Sequence, residues 1–269
     1  MSRFQDIDYL RNLYGEERQI PLRGEFLKKY SNRNRSVRDV MRSLMGDFGG
    51  KKILDIGAGS GSFLLKIKKE NPSIKATAID IVSHPNLSGN RDVSYRIYDG
   101  NHLPNDIGKF DIILMMHMLY HISDIESFLS QVLAAYGKAG TKLYITTKSK
   151  DTMFTIEDNF QHILRLLELP YDTRYNERDE AHFCRENAQS IIEKSFKDTS
   201  HSVKEYDLDT QLLVDNPDDL LEYILSTPRY GDDANLLSDP RYIEYWKSQI
   251  NKHDLFIDTY RESIYVVEF

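Results

Sequence analysis

Cysteine is almost absent from the sequence: Cys184 is the only one among 269 residues. A single cysteine excludes an intrachain disulfide and does not by itself provide a zinc site. No run of about 18 apolar residues occurs, so no membrane-spanning helix is predicted. The N-terminal stretch is charged throughout and lacks the apolar core of a secretory signal. We therefore expect a cytoplasmic protein that does not contact a membrane.

Charge is unevenly distributed along the chain. Residues 1–50 carry a net charge of +3 and residues 51–150 a net charge of +4, whereas residues 151–269 hold 12 basic and 26 acidic side chains, a net charge of −14. Such an acidic part repels a phosphate backbone, which argues against extended nucleic-acid binding. It favours a cationic partner such as an amine, although the simpler explanation is a solvated acidic surface.

Short apolar strands alternate with amphipathic helices between residues 51 and 148. The predicted strands are "KKILDI", "IKATAID", "VSYRIYD", "FDIILMM" and "TKLYITTK". Nearly continuous apolar strands that alternate with helices are typical of a parallel sheet covered on both faces. For the helix at about 124–136 we predict a capping box, with Ser123 at the N-cap and Glu126 three residues on, and an end at Gly137.

The flanking segments have a different pattern. Residues 1–47 are predicted to be helical, with one apolar stripe over Val37–Met45. The predictions after residue 150 are helices at 154–169 and 186–196, a strand at 202–214, a helix opened by Asn216-Pro217, a polar lid loop at 226–240 and a C-terminal strand pair with a turn at "RES" (261–263). We therefore divide the chain into an N-terminal helical cap (1–48), a ligand-binding core (49–150) and the remainder of the sheet with a helical insertion or lid at about 215–252 (151–269).

Polar residues follow four of the predicted strands. Asp55 and three glycines follow the first, Asp80 ends the second, Asp99 ends the third, and Met116-His117 end the fourth. Ligands of an open parallel sheet bind beyond the carboxyl ends of its strands. The sequence therefore places these side chains around one crevice.

The glycine spacing in "ILDIGAGSGSFL" indicates the class of ligand. A dinucleotide fingerprint, G-x-G-x-x-G, counted from Gly57 and Gly59 requires glycine at position 62, where the chain has Ser62, and no P-loop motif occurs. What stands there is D-x-G-x-G-x-G, whose glycines, Gly61 included, let a ligand lie against bare backbone. Asp55 at the head of this loop repels phosphate and suits an ammonium group.

The next two strand ends complete this ligand. Asp80 can accept hydrogen bonds from a ribose diol, as the acidic residue of the dinucleotide fold does. Asp99 can accept from an exocyclic amine such as that of adenine, with Ile81 as an apolar wall against the ring. A ligand with a ribose, an adenine, a cationic amino-acid end and no phosphate is S-adenosylmethionine.

The segments "ILDIGAGSGSFL", "AID", "YDGNHLP" and "FDIILMMHMLYHISD" resemble, in order and spacing, the motifs of class I S-adenosylmethionine-dependent methyltransferases. The resemblance covers about residues 50–148. It implies an α/β, doubly wound, Rossmann-like, seven-stranded, mostly parallel sheet whose last strand is inserted antiparallel, with N-terminal helices and an acceptor-binding helical insertion. It also implies the positions that bind the cofactor. They are Asp55, Gly57, Gly59 and Gly61 for the methionine part, Asp80 for the ribose, Asp99 and Gly100 for the adenine, and Met116 and His117 near the sulfonium.

Two histidines are candidates for a general base. His117 and His121 lie four residues apart after the fourth strand, and His121 is favoured because His117 would lie at the cofactor. The alternative is that both are structural, hydrogen-bonded histidines. No carboxylate stands at a convincing ligand spacing, so no metal is predicted. Tyr14, Arg23 and Tyr30 are candidates to close over the site, although ordinary helix surface explains them as well.

These observations predict transfer of a methyl group to nitrogen or oxygen of a small-molecule acceptor. The acidic balance of residues 151–269 favours an acceptor that is cationic or amine-bearing. The transfer is an in-line displacement, so proximity supplies much of the catalysis. The alternatives are a methyltransferase of RNA or protein, and a regulatory module that binds the cofactor without turnover.

Overall fold

The computed structural model describes residues 5–15, 19–98, 102–168, 182–231, 234–251 and 254–269. Seven strands of these residues form one sheet: β1 (Lys52–Ile56), β2 (Lys75–Asp80), β3 (Val93–Ile97), β4 (Ile112–Met116), β5 (Lys142–Lys148), β6 (Ser202–Val214) and β7 (Phe256–Glu268). Their spatial order is β3-β2-β1-β4-β5-β7-β6. Strands β1 to β5 pair in parallel, and β7 lies antiparallel between β5 and β6. The predicted fold class, including the inserted antiparallel strand, is confirmed.

Helices cover both faces of the sheet. They are α1 (Ile7–Gly15), α2 (Gln19–Tyr30), α3 (Val37–Leu44), α4 (Ser62–Glu70), α5 (Ile125–Tyr136), α6 (Phe154–Leu166), α7 (Arg185–Ser195), α8 (Pro217–Ser226), α9 (Pro228–Gly231), α10 (Ala234–Ser238) and α11 (Pro240–Asn251). Alternate side chains of each strand point to opposite faces. Leu54 of β1 accordingly packs with α5 and α7, whereas its neighbour Ile53 packs with α3 and α4. None of the described helices is long and apolar enough to cross a lipid bilayer.

A further apolar cluster lies beyond the carboxyl ends of the parallel strands. Lys148, the last residue of β5, pairs with Glu262, so the first part of β7 extends past the parallel strands. The cluster packs side chains of β7, α2, α6, α8 and α11 around Trp246, which is fully buried. This packing holds α2 and the helices of residues 217–251 beside the edge where the crevice is expected.

Two local predictions are wrong. The N-cap of α5 is Asp124, whose carboxylate accepts from the Ser127 N–H at 3.0 Å, so Ser123 does not cap the helix. The turn predicted at "RES" is instead part of one continuous strand, β7. Glu262 and Ser263 are buried in the middle of that strand, where both neighbouring strands pair with it. The predicted helix end at Gly137 is confirmed.

The predicted polar loop at 226–240 is also wrong, since the described part of it forms α9 and α10. Pro228, Tyr230 and Leu236 are buried there. The Tyr230 ring packs edge-on against Phe160 with the centroids 5.0 Å apart, and the Tyr242 hydroxyl donates to the Tyr230 carbonyl at 2.8 Å. The segment belongs to the apolar cluster because its aromatic residues are buried among the helices.

Candidate functional site

The glycine loop joins β1 to α4 and is held by the end of β2. The Gly57 N–H donates to the Ile79 carbonyl at 2.9 Å, and the Gly59 N–H donates to Asp80 Oδ2 at 2.7 Å. Gly61 is the N-cap of α4. All three glycines have φ between +55° and +69°, a left-handed conformation that side chains disfavour. The loop therefore presents bare backbone at the carboxyl end of the sheet.

Asp55 lies directly beneath this loop, in β1. Its side chain is fully buried, and neither carboxylate oxygen has a hydrogen-bond partner among the described residues. Burial raises its pKa to about 8, an effect that the nearby Arg38 charge opposes and Asp80 reinforces. Buried polar groups are nearly always hydrogen-bonded, so an unpartnered carboxylate here indicates a missing cationic or donor partner.

The carboxylate of Asp80 anchors the glycine loop and can also accept hydrogen bonds from a ligand. Its two oxygens accept from the N–H groups of Gly59 and Val82, the latter at 3.1 Å. Each carboxylate oxygen has two lone pairs, so acceptor capacity remains for hydroxyl groups of a ligand. Ile81 and Met116 are half-buried. Ile81 packs on the face of the sheet that α5 and α7 cover, and Met116 packs on the face that α3 and α4 cover. Asp99 and Gly100 lie outside the described residues.

The space around Gly61 is filled and the space around Gly59 is open, so a side chain should have different effects at the two positions. A Cβ on Gly61 would lie 2.4 Å from Cδ2 of the buried Leu87, whereas a Cβ on Gly59 would point into open space. We expect Gly61→Ala to lower the free energy of unfolding by roughly 2–4 kcal/mol, from backbone strain and overpacking. Gly59→Ala should lose only about 1–2 kcal/mol, because strain alone acts there. It should nevertheless weaken cofactor binding at least about tenfold, because its methyl group would occupy the ligand's space.

Thermal melts of both variants, with and without S-adenosylmethionine, measure the two effects separately. Equal stability losses would contradict the packing argument. An unchanged ligand-induced shift in Gly59→Ala would contradict the placement of the ligand over the loop.

His117 belongs to a buried ionic network. It follows β4 with φ +51°, and its Nε2 lies 3.2 Å from Oε2 of Glu262 in β7. The other oxygen of Glu262 accepts from Nη2 of Arg33 at 2.7 Å. Burial alone would raise the pKa of Glu262, but the hydrogen bond from His117 and the charge of Arg33 outweigh it, so its pKa lies below the usual range. The sequence pattern placed Glu262 in a turn, and that assignment was wrong.

His121 lies in the 3-10 turn Leu119–His121 and contacts the N-terminal helix α1. Its Nε2 is 2.9 Å from the Tyr14 hydroxyl, and the two rings meet edge-on with their centroids 5.6 Å apart. Both residues line a cavity of about 90 Å³, which we call the acceptor cavity. Its other polar side chains include Arg23 of α2, Lys148 of β5, Tyr223 of α8 and Arg229 of α9.

The acceptor cavity adjoins the glycine loop through one short segment. Met118, which immediately precedes the 3-10 turn, is so close to Gly57 that a Cβ there would lie 3.0 Å from the Met118 Cβ. Three residues later, His121 lines the cavity. Tyr14 and Arg23, the two candidates from α1 and α2, also line this cavity. Tyr30 does not line it, since its hydroxyl donates to Asp219 at 2.6 Å.

Several residues of the cavity were missed from the sequence. Lys148, Tyr223 and Arg229 are far apart in the chain and follow no motif. Arg229 fell in the predicted polar loop. No group of three or more potential metal-ligating side chains occurs in the described parts of the chain.

A methyltransferase-domain family model matches residues 28–194, more than half of the chain. The chain belongs to this family. Together with the inserted antiparallel strand, the match places this methyltransferase among the class I enzymes, whose cofactor is S-adenosylmethionine. The family resemblance carried by the motifs is thereby confirmed.

Curated relatives match only part of this methyltransferase. A ubiquinone biosynthesis O-methyltransferase of Chelativorans sp. (strain BNC1) is 30% identical over 105 residues, which cover 37% of this chain and 41% of the relative. A tRNA U34 carboxymethyltransferase of Campylobacter jejuni subsp. doylei is 28% identical over 129 residues, 45% of this chain and 41% of the relative. The chain thus spans about two fifths of the length of these relatives.

The crystal structure of the 4+2 cyclase SpnF has the same fold across nearly the whole chain. The TM-score is 0.55 at 16% identity, and the match covers 97% of this chain and 96% of that chain. At this identity the likeness shows the fold alone. The acceptor therefore has to be argued from the site itself.

Proposed function

We propose that this methyltransferase transfers a methyl group from S-adenosylmethionine to oxygen or nitrogen of a small molecule in the acceptor cavity. The observation that carries the proposal is the segment Met118–His121. It touches the glycine loop at one end and lines the acceptor cavity at the other. A methyl donor above the loop and an acceptor in the cavity would thus be neighbours, and proximity supplies much of the catalysis of an in-line displacement.

The residues at the loop fit this cofactor. In the proposal, Asp55 holds the cationic amino-acid end, because its buried oxygens lack partners and its charge suits an ammonium group. Gly59 lets the ligand approach the backbone, since the space beyond its Cα is open. Asp80 accepts from the ribose hydroxyls, and Ile81 and Met116 form apolar walls. The bound cofactor supplies an electrophilic methyl group on its sulfonium, which leaves with the C–S electron pair remaining on sulfur.

His121 is the proposed general base, and His117 is a positioning residue. In the tautomer that donates from Nε2 to the Tyr14 oxygen, Nδ1 of His121 is basic and takes the proton of the acceptor as the new bond to carbon forms. His117 is instead tied through Nε2 to the buried Glu262. The neighbouring Met116 and Met118 would then be fixed near the cofactor by this link.

The His121→Gln variant tests the base. Its side-chain amide can still donate to Tyr14, but it has no basic nitrogen. We expect kcat to fall about 100-fold with little change in KM, and the acidic limb of the pH profile to disappear. Steady-state rates of the wild type, His121→Gln and Tyr14→Phe from pH 5.5 to 9 measure both effects. If a folded His121→Gln protein kept its kcat and pH profile, His121 would not be the general base.

The likeness to a tRNA-modifying enzyme favours RNA as a second candidate acceptor. Tritiated S-adenosylmethionine, incubated with the protein and a cell extract separated into small molecules, RNA and protein, distinguishes the candidates. We expect label in the small-molecule fraction. Label in RNA or protein would replace the proposed acceptor class, and cofactor binding without any labelled product would favour a regulatory module.

A further inference from the structure

The wall of the acceptor cavity is cationic. Arg23, Lys148 and Arg229 reach it from three different elements, and His121 adds a titratable ring. None of the described residues that line it is an aspartate or a glutamate. The remaining polar part of the wall is mainly tyrosine, with Tyr14, Tyr120, Tyr223 and Tyr230.

These cationic groups differ in whether their charge is already balanced. Arg229 donates two hydrogen bonds to Glu157, from Nε to Oε2 at 2.7 Å and from Nη2 to Oε1 at 2.6 Å. Both side chains of this pair are at most 14% exposed, so the Arg229 charge is neutralised locally. Arg229 therefore shapes the cavity without attracting an ion strongly.

Arg23 differs from Arg229. It is half-buried on α2, and it makes no hydrogen bond or ion pair with any residue that the structure describes. Taking a guanidinium partly out of water is costly unless an acceptor replaces the lost solvation. Its planar set of N–H donors matches two oxygens of a carboxylate at once.

We propose that the acceptor carries a carboxylate, and that Arg23 is the residue that binds it and determines this specificity. This inference rests on the proposed function, because it assigns the acceptor to the same cavity. It reverses the expectation of a cationic or amine-bearing acceptor. The flat tyrosine surfaces next to Arg23 fit an aromatic or otherwise planar body for this carboxylate.

The acidic balance of residues 151–269 does not oppose this inference. Its carboxylates include groups that are already paired, such as Glu157 with Arg229, Asp209 with Arg185 and Asp218 with Lys247. Charges on the outer surface are screened within about 8 Å at physiological salt. The field inside a small cavity is set by the side chains that line it.

Matched probes test the inference on the intact chain. Ligand-observed NMR, in the presence of S-adenosylhomocysteine, compares benzoate with benzamide, which has the same shape without the charge, and with benzylamine, which has the opposite charge. We expect benzoate to bind at least about tenfold more tightly than either. Arg23→Gln should remove this preference, and Arg23→Lys should restore part of it. The exposed Arg91→Gln is the control and should leave the preference unchanged.

The outcomes separate the two levels of the proposal. Equal or absent binding of the three probes, or a preference for benzylamine, would overturn the carboxylate inference. An unchanged preference in Arg23→Gln would overturn the role of Arg23. Calorimetry with S-adenosylmethionine on the same samples is the independent readout. Failure to bind it would overturn the proposed function, whereas normal binding leaves that function standing whatever the probes show.

Discussion

Replacing Glu262 with alanine is expected to lower the free energy of unfolding by about 3 kcal/mol or more. The carboxylate is buried and is the ionic partner of both Arg33 and His117. Nη1 of Arg33 and Nδ1 of His117 are already buried without a partner among the described residues. Without Glu262, the Arg33 guanidinium and the His117 ring would lose the carboxylate that both contact. Leaving such buried donors unpaired costs more free energy than the ion pair itself contributes.

The variant Glu262→Gln separates charge from shape. It keeps one acceptor oxygen and nearly the same volume, so about 1–2 kcal/mol should be lost at pH 7. Because the folded state lowers the pKa of Glu262, its charge stabilises the fold above the unfolded pKa of about 4.3, and this contribution is lost as pH falls through the folded value. The difference between wild type and Glu262→Gln should therefore shrink below pH 4.

Urea unfolding at pH 7, 5 and 3.5 measures these differences. Glu222, an exposed glutamate on α8, provides the control, and Glu222→Ala should change stability by less than about 0.5 kcal/mol. If Glu262→Ala unfolded at the same urea concentration as Glu222→Ala, the network would have no net stabilising role.

The fold was predictable because it depends on local patterns. Apolar strands with polar residues at their carboxyl ends set the sheet, and the inserted β7 came from the family resemblance. Glu262 was missed because "RES" interrupts an apolar pattern in the way that a turn does. Only the tertiary position of Arg33 and His117 lets a carboxylate remain in the middle of a strand.

The candidate site was predictable only in part for the same reason. The glycine loop and Asp80 are adjacent to strand ends, so their meeting follows from topology, and the Gly59–Asp80 hydrogen bond joins them. The acceptor cavity draws on α1, α2, β5, α8 and α9, which no periodicity brings together. Regional net charge favoured a cationic acceptor, but it averages over pairs such as Arg229–Glu157 and does not report which charges line the cavity.

Replacing Asp55 with asparagine is expected to stabilise the ligand-free protein while weakening cofactor binding. Burial, opposed by Arg38 and reinforced by Asp80, raises the pKa of Asp55 to about 8, whereas the unfolded chain ionises near its usual value of about 4. The unfolded state thus binds fewer protons between these values, so wild-type stability is lost as pH rises from about 4 through 8. Asparagine has no such titration, and the variant should be roughly 3–5 kcal/mol more stable at pH 8.

At pH 4 most of this advantage should vanish, because the wild-type carboxyl is then neutral in the folded state and about half neutral in the unfolded state. Urea unfolding at pH 4, 6 and 8 measures it, with the exposed Asp92→Asn as the matched control, which should follow the wild type throughout. Calorimetry should show S-adenosylmethionine binding at least about tenfold more weakly to Asp55→Asn, because one charge-assisted contact is lost. A stability gain that did not depend on pH would contradict the buried-charge argument. A buried charge that destabilises the fold is most simply explained by a bound cation that stabilises it. Undiminished cofactor affinity would contradict this explanation and would show that the unpartnered Asp55 carboxylate does not bind the cofactor.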